Sequence, residues 1–362
     1  MQRGWRPPRR APCRDPSHHR SPAARIDILT PPSIPRPLDP LIPILFTGGT
    51  ISMRHDALVG GAVPALSGRD ILAATRGIEE VADFEVEEWG AYPGPHMTVE
   101  RMWALRNRIA EHLERPEVDG VVVTHGTDTL EESAYLNART IAAEKPIVFT
   151  GAMRNASELG WDGPPNLIDA VRVAASEESR GYGVMVAISG RVFAGLDVTK
   201  AHTHLLDAFE SPGLGPIGVL DDGHVIFRRA LPPAPPLLVP PAPALPIDIV
   251  AAFPGADSRL VDASRNEALG IVVAALGRGN VPPAMVPGIE RWIEAGKPVV
   301  VASRALRGRV GTTYGYPGAG RRLHDLGAIF AGSRRPQQAR IELSLGLGSG
   351  LTTAELHRLF EE

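Results

Sequence analysis

Two short segments of this chain place a hydroxyl directly after a glycine: Thr47-Gly48-Gly49-Thr50 and Thr124-His125-Gly126-Thr127-Asp128. A threonine hydroxyl is a weak nucleophile and needs a neighbouring proton acceptor. Of the 38 basic side chains only Lys145, Lys200 and Lys297 are lysines, and the other 35 are arginines. Lysine can surrender its proton when desolvated; arginine stays charged. Any lysine chemistry must therefore use one of these three. Lys145 and Lys297 each precede a proline and a strand, where a helix gives way to a sheet, and read as solvated loop lysines. Lys200 lies in Gly195-Leu196-Asp197-Val198-Thr199-Lys200, beyond a strand ending in Ser189-Gly190. That placement puts it on the same sheet edge as the threonines.

Other nucleophiles and cofactor motifs are not supported. The single cysteine, Cys13, excludes an internal disulfide framework and a cysteine-based metal cluster. No Gly-x-Ser-x-Gly elbow occurs, no dinucleotide fingerprint follows a predicted strand, and no P-loop is present. His202 and His204 lack a carboxylate or third histidine at ligand spacing and read as loop residues. No metal and no cofactor are expected.

The elements that must carry these residues alternate in type. Leu41–Phe46, Gly120–Thr124, Pro146–Phe149 and Val184–Ile188 are short apolar runs, each ending at Thr or Ser near a glycine. Met102, Leu105, Ile109 and Leu113 recur at helical spacing after Thr98, a predicted N-cap. Thr129 and Glu132 have capping-box spacing and predict a helix through about Ala143. Later, Ile271–Leu276 and Val299–Ala302 read as strands, with a helix near Ile289–Ala295 between them. A last helix starts at Thr352, with Glu355 completing a box. Continuously apolar strands are buried on both faces, as in a helix-covered parallel sheet. The expected fold is α/β: a larger N-terminal, doubly wound, mostly parallel sheet domain plus a smaller C-terminal α/β domain. Ligands bind beyond the carboxyl ends of such strands. There the hydroxyls of Thr47, Thr50, Thr124, Thr127, Thr150 and Ser189 would gather, although most of them can equally cap the next helix.

The chain has 362 residues and a net charge of −3, enough length for two domains and no prior for binding a polyanion. Residues 1–40 hold eight arginines, three aspartates and ten prolines and read as a disordered tail of charge +5. A basic arm touching nucleic acid is a minor alternative. Leu231–Pro246, with eight prolines in sixteen residues, reads as an extended connector between a domain at 41–230 and another at 247–362. Aromatics are only 5%, which disfavours a base-stacking platform. No apolar run approaches the ~18 residues of a spanning helix. Nucleic-acid and membrane partners are not expected.

These motifs resemble the bacterial-type L-asparaginases and glutaminase-asparaginases. Thr47-Gly48-Gly49-Thr50-Ile51 looks like the first family signature, and Thr124-His125-Gly126-Thr127-Asp128-Thr129 like the second. Lys200, in Asp-Val-Thr-Lys, matches the family lysine. Thr150-Gly151-Ala152-Met153-Arg154, Asp162-Gly163-Pro164 and Asn166-Leu167 supply further context, and the resemblance covers about 41–362. It implies hydrolysis of the side-chain amide of L-asparagine by a cytoplasmic enzyme. Thr50 would be the nucleophile, and Thr127, Asp128 and Lys200 a Thr–Lys–Asp triad. It further implies substrate contacts at Gly49, Gly94, Gly126, Asp128 and Asn280, and a homodimer or homotetramer.

The chain departs from the family around that core. The segment Ser52–Ser67 lacks the usual tyrosine, and Ala62 stands at the matching position; Tyr92 belongs to a different loop. The carboxylate-binding Ser and Gln are replaced by Gly94 and Pro95, and Pro95 has no N–H to donate. Thr313–Pro317 carries no acidic residue. The core thus reads as intact and the recognition shell as altered. Alternatives are an amidase or glutaminase for another amide, including ammonia supply to a tRNA amidotransferase, and a non-catalytic amino-acid-binding relative.

Overall fold

The computed structural model describes residues 40–232 and 235–361. The expected tail, apart from Pro40, and Cys13 lie outside the described residues. In chain order the first half forms β1 (Leu41–Gly48), β2 (Met53–Asp56), β3 (Gly61–Pro64), α1 (Gly68–Ala74), β4 (Asp83–Tyr92), α2 (Val99–Leu113), β5 (Val121–Thr124) and α3 (Leu130–Thr140). There follow β6 (Ile147–Thr150), α4 (Gly163–Ala175), β7 (Val184–Ile188), β8 (Arg191–Ala194), β9 (Thr199–Lys200), β10 (Phe209–Glu210), β11 (Gly218–Asp221) and β12 (His224–Phe227).

Eight of these strands make one sheet in the order β12-β11-β8-β7-β6-β5-β1-β4. From β4 to β7 the pairing is parallel; β8, β11 and β12 add an antiparallel flank. The central strands β5, β6 and β7 are buried at every residue. Helices cover both faces, so their Val- and Ile-rich runs have no polar side to show.

The second half forms β13 (Ile247–Ala251), α5 (Arg259–Ala263), β14 (Gly270–Ala275), α6 (Val286–Glu294), β15 (Val299–Ser303), α7 (Gly320–Leu326), β16 (Ile329–Phe330), α8 (Pro336–Gly348) and α9 (Thr353–Glu361). Its strands form an all-parallel sheet in the order β13-β14-β15-β16. The two sheets belong to one compact unit. Helix α3 of the first packs on α8 of the second, and Tyr135 and Leu136 share a core with Ile341 and Leu345. Between the sheets, Leu238 N–H donates to Arg139 O and Ala244 N–H to Ser344 O. The proline-rich segment is thereby tied to α3 and to α8.

Local signals held in part. Thr98 Oγ1 accepts from Arg101 N–H at the head of α2, and the Thr352–Glu355 box forms. The Thr129–Glu132 box does not form: Thr129 makes no side-chain cap bond in α3, because its hydroxyl donates to Gly94 O at 2.8 Å. Tertiary contact outcompetes the local cap. Helix α3 also stops at Thr140, short of Ala143. Ile141 is extended, and Arg106 Nη2 takes the Thr140 carbonyl at 2.7 Å. The segment Ser52–Ser67 contains a hairpin, β2 against β3, with Ala62 paired to His55 and exposed. Asp56 closes it by accepting from the N–H groups of Leu58 and Val59.

Candidate active site

The site begins with the neighbouring strands β1 and β5. Their register pairs Phe46 with Thr124, and Thr47 Oγ1 donates to Thr124 O at 2.8 Å. The turns beyond the two strand ends must then meet, and glycines let them. A Cβ on Gly49 would lie 2.5 Å from Gly126 Cα, and one on Gly126 would lie 2.6 Å from Gly94 Cα. Gly49 also holds φ +84, a region glycine tolerates and other residues rarely adopt. Three loops thus touch backbone to backbone, carrying Thr50, Thr127-Asp128 and Gly94.

Lys200 reaches this junction from β9. Its Nζ donates to Thr127 Oγ1 at 2.8 Å and to Asp128 Oδ1 at 2.7 Å. Thr127 is buried, the Lys200 side chain is 15% exposed and that of Asp128 58%. A lysine amino group held between a buried hydroxyl and an accessible carboxylate can take the hydroxyl proton as the free amine and return it as the ammonium, while solvent-borne substrate reaches the carboxylate.

Thr50 lies just past β1 on a one-turn 3-10 helix, Thr50–Ser52, and is half-buried. Its hydroxyl is not among the partners of Lys200. Asn280 lies after β14, in the other sheet, where its Oδ1 accepts from Gly320 N–H at 3.1 Å. No bond among the described residues joins Asn280 to Thr50, Thr127, Asp128 or Lys200.

The remaining hydroxyls of the sheet edge are spent or enclosed. Thr150 Oγ1 donates to Ala187 O at 2.7 Å, and Thr47 is committed to Thr124 O. Thr124 Oγ1 is buried without a partner. Ser189 donates its N–H to Asn166 Oδ1, while Asn166 Nδ2 bonds Gly151 O and Asp162 Oδ2. Asp162 accepts in turn from the N–H groups of Met153 and Arg154. These motif residues stitch neighbouring strand-end loops together.

Lys145 and Lys297 correct the expectation of solvated lysines. Lys145 Nζ donates to Leu113 O, at the last residue of α2, and to Arg115 O just beyond it, and Lys297 Nζ to Arg265 O and Ala268 O past the end of α5. A cation there satisfies carbonyls the helix leaves open.

Electrostatics around the junction follow from burial. His125 is fully enclosed and its pKa falls to about 4, because burial penalises the charged ring. As a neutral ring its Nδ1 donates to Gly126 O and its Nε2 accepts from Ser133 Oγ, both at 2.8 Å. Glu132 is pushed up to about 7 by burial, with the charge of Glu131 adding to it.

Glu131 is the residue that sequence reasoning missed. Its buried carboxylate accepts from Thr199 Oγ1 at 2.6 Å, from Lys200 N–H at 2.5 Å, and from the Gln337 side-chain amide. In the sequence it is an acidic residue in a helix's first turn, a pattern that the helix dipole explains by itself.

The recognition shell is sparse. Pro95 offers no N–H, His96 N–H is used on Pro93 O and Met97 N–H on Gly94 O. The Gly94 N–H remains the donor this turn has not spent internally. Gly49 N–H is committed to Tyr92 O at 2.9 Å. The Tyr92 ring packs edge-on to Trp89, under the Arg101 guanidinium. Among the described residues no group of three or more His, Cys, Asp or Glu could hold a metal ion. No helix among them is long and apolar enough to cross a membrane.

Comparison with known proteins identifies the family. Residues 41–233 match the family model described as Asparaginase, N-terminal. Residues 246–360 match the Glutaminase/Asparaginase C-terminal domain. A probable L-asparaginase of Deinococcus radiodurans is 36% identical over 335 residues, covering 92% of this chain and 99% of the relative. An L-asparaginase of Bacillus licheniformis is 34% identical over 310 residues, 85% of this chain and 95% of that one. The crystal structure of a probable cytoplasmic L-asparaginase from Campylobacter jejuni superposes with a TM-score of 0.80 at 31% identity, over 90% of this chain and all of the other. With both halves matched in order and the relatives covered nearly end to end, the chain belongs to the asparaginase family.

Proposed function

We propose that this chain hydrolyses the side-chain amide of L-asparagine to L-aspartate and ammonia. The observation that carries the reading is the Lys200 ammonium bridging Thr127 Oγ1 and Asp128 Oδ1. Of its relatives, one is named L-asparaginase and another probable L-asparaginase.

In the first half-reaction the Thr50 hydroxyl attacks the amide carbon. A C–O bond forms and the C–N bond breaks. The hydroxyl proton leaves on the nitrogen, which departs as ammonia. In the second half, water attacks the resulting ester, its proton returns to Thr50, and aspartate is released. Thr127, Lys200 and Asp128 shuttle protons and orient the water. Asp128, the exposed member, also meets the substrate α-ammonium. Backbone N–H groups at the mouths of the two turns meet the oxyanion. Gly49 is not one of them, because its N–H is spent on Tyr92 O. Gly49 and Gly126 instead shape the floor. Gly94 offers its N–H to the substrate carboxylate. Asn280 completes the amine contact when supplied across an interface in a homodimer or homotetramer. The reaction needs no cofactor and is placed in the cytoplasm. Catalysis is assigned to a domain at 41–230, joined through 231–246 to a domain at 247–362.

Ammonia release from L-asparagine by Thr50→Val and Thr127→Val tests the assignment. Each variant loses at least about a hundredfold in kcat; wild-type rates in either would remove that residue from the chemistry. A second reading, an amidase acting on a different amide, is favoured by the replaced donors at Gly94 and Pro95. A panel of free and carboxyl-blocked amides separates the two.

A further inference from the structure

Lys200 must be aimed with some precision, yet its own strand gives little support. Strand β9 is two residues long and pairs only with the equally short β10, Lys200 opposite Phe209 and Thr199 opposite Glu210. A ladder that short has little stability of its own. What surrounds it is a set of side-chain bonds. Glu131 Oε2 accepts from both Thr199 Oγ1, at 2.6 Å, and the Lys200 N–H, at 2.5 Å. Its other oxygen accepts from Gln337 at the head of α8. Beside it, Arg335 Nη2 donates to Val198 O and Gln338 Nε2 to Leu196 O, both at 2.8 Å.

The geometry is a closed loop. Glu131 stands three residues after Asp128, in the first turn of α3. It grips the Lys200 backbone, and the Lys200 side chain returns to Thr127 and Asp128. The turn into α3 therefore presents the two groups that accept hydrogen bonds from Lys200, and the first turn of α3 holds the root of that side chain. Charge-assisted bonds to a buried carboxylate are short and directional, which suits a positioning task.

We infer that Glu131 is a positioning residue for the Thr–Lys–Asp triad, with Gln337 of the C-terminal half buttressing it. This rests on the reaction proposed above. Displacing Nζ by an ångström takes it out of bonding range of Thr127, and misplacements of that size cost about a hundredfold in rate.

The chain's three lysines make the test direct. In protein carrying isotope-labelled lysine, the side-chain Cε–Nζ correlation spectrum holds three signals. Lys145 and Lys297 are anchored to backbone carbonyls, share no hydrogen-bond partner with Glu131 among the described residues, and report on the fold. Lys200→Met identifies the third signal. In Glu131→Ala, the Lys200 signal moves toward the position of free lysine while the other two stay. In the same variant kcat for asparagine falls about a hundredfold with KM within about threefold. Glu131→Gln retains a carbonyl oxygen for Thr199 and Lys200, so it restores the signal and most of kcat. Gln337→Ala shifts the same signal by less and costs less.

An unmoved Lys200 signal in folded Glu131→Ala, or a loss borne by KM alone, overturns the inference. If Glu131→Ala unfolds and all three signals collapse, Gln337→Ala decides: a silent Lys200 signal there also overturns it. Wild-type protein that releases no ammonia would instead sink the proposed reaction. The spectra would still report whether Glu131 aims Lys200.

Discussion

Replacing Glu342 by leucine tests how the two halves are held together. Glu342 on α8 is 0% exposed and its partner Arg139 on α3 is 1% exposed. Arg139 Nη2 meets Oε1 at 2.7 Å, Nε meets Oε2 at 2.8 Å, Tyr135 OH adds a bond at 2.9 Å, and Arg334 Nη2 stands 3.9 Å from Oε1. Burial pushes the Tyr135 phenol far above its ordinary pKa, so it remains a neutral donor. Glu342→Leu takes the carboxylate from a buried guanidinium and a buried phenol. Removing one partner of such a pair costs roughly 3–5 kcal/mol. Removing both charges is far less harmful, because apolar side chains pack where a desolvated pair was costly to bury. The double variant Arg139→Leu/Glu342→Leu still bears the stranded Tyr135 hydroxyl, about 1–3 kcal/mol, and the loss of the Arg334 pairing with Glu342. Urea unfolding followed by circular dichroism gives the losses for Glu342→Leu, Arg139→Leu and the double variant. The expected order is that the double variant is more stable than Glu342→Leu alone. The reasoning fails if Glu342→Leu lies within about 1 kcal/mol of wild type, or if the double loss equals the sum of the singles.

Four further outcomes are expected. Glu132 carries a pKa raised from 4.5 to about 7, so the folded state holds its proton more tightly than the unfolded one, and stability drops as pH rises through that window. Glu132→Gln therefore raises Tm at about pH 8 and hardly at about pH 4.5; the reverse pattern would contradict the burial argument. His125 has the opposite sign: its pKa falls from 6.5 to about 4, so its contribution is complete above 6.5 and lost as pH drops to about 4. A His125→Asn protein should show a flatter acid limb in a plot of Tm against pH. Gly49→Ala, with φ +84 and a contact at 2.5 Å, should abolish ammonia release, whereas Gly60→Ala, at φ +73 with open space around it, should leave kcat near wild type. Gly94→Ser introduces a Cβ 3.1 Å from Asp128 Cβ and 3.4 Å from Asp128 N, so the two turns must part by a few tenths of an ångström to admit it. The added donor should raise preference for asparagine over its carboxyl-blocked amide by roughly tenfold; an unchanged ratio would mean the carboxylate is read elsewhere.

Local pattern carried much of the architecture. Val184–Ile188 is read as a strand and is one, because an unbroken apolar run has one comfortable environment, a sheet covered on both faces. Thr98 and Thr352 cap helices as their spacing predicts. Pattern failed where a distant partner competed for the same atoms. Thr129 left its box for Gly94 O, and Arg106 closed α3 at Thr140. The polar hairpin after Thr50 carried no apolar alternation by which to be recognised.

By itself the sequence determined which side chains are chemically able: two Gly-Thr turns, one lysine outside the helix-to-sheet junctions, and an aspartate next to a threonine. Those are properties of residue type and neighbourhood along the chain, and they survive without coordinates. Only the tertiary structure decided how each group's bonding capacity is used. Thr47 and Thr150 are consumed by neighbouring strands, while Lys200 finds Thr127 across 73 residues. Glu131 became visible only when α3, β9 and α8 converged on its carboxylate. A hydrogen bond needs its partners within about 3 Å, and sequence distance carries no information about that.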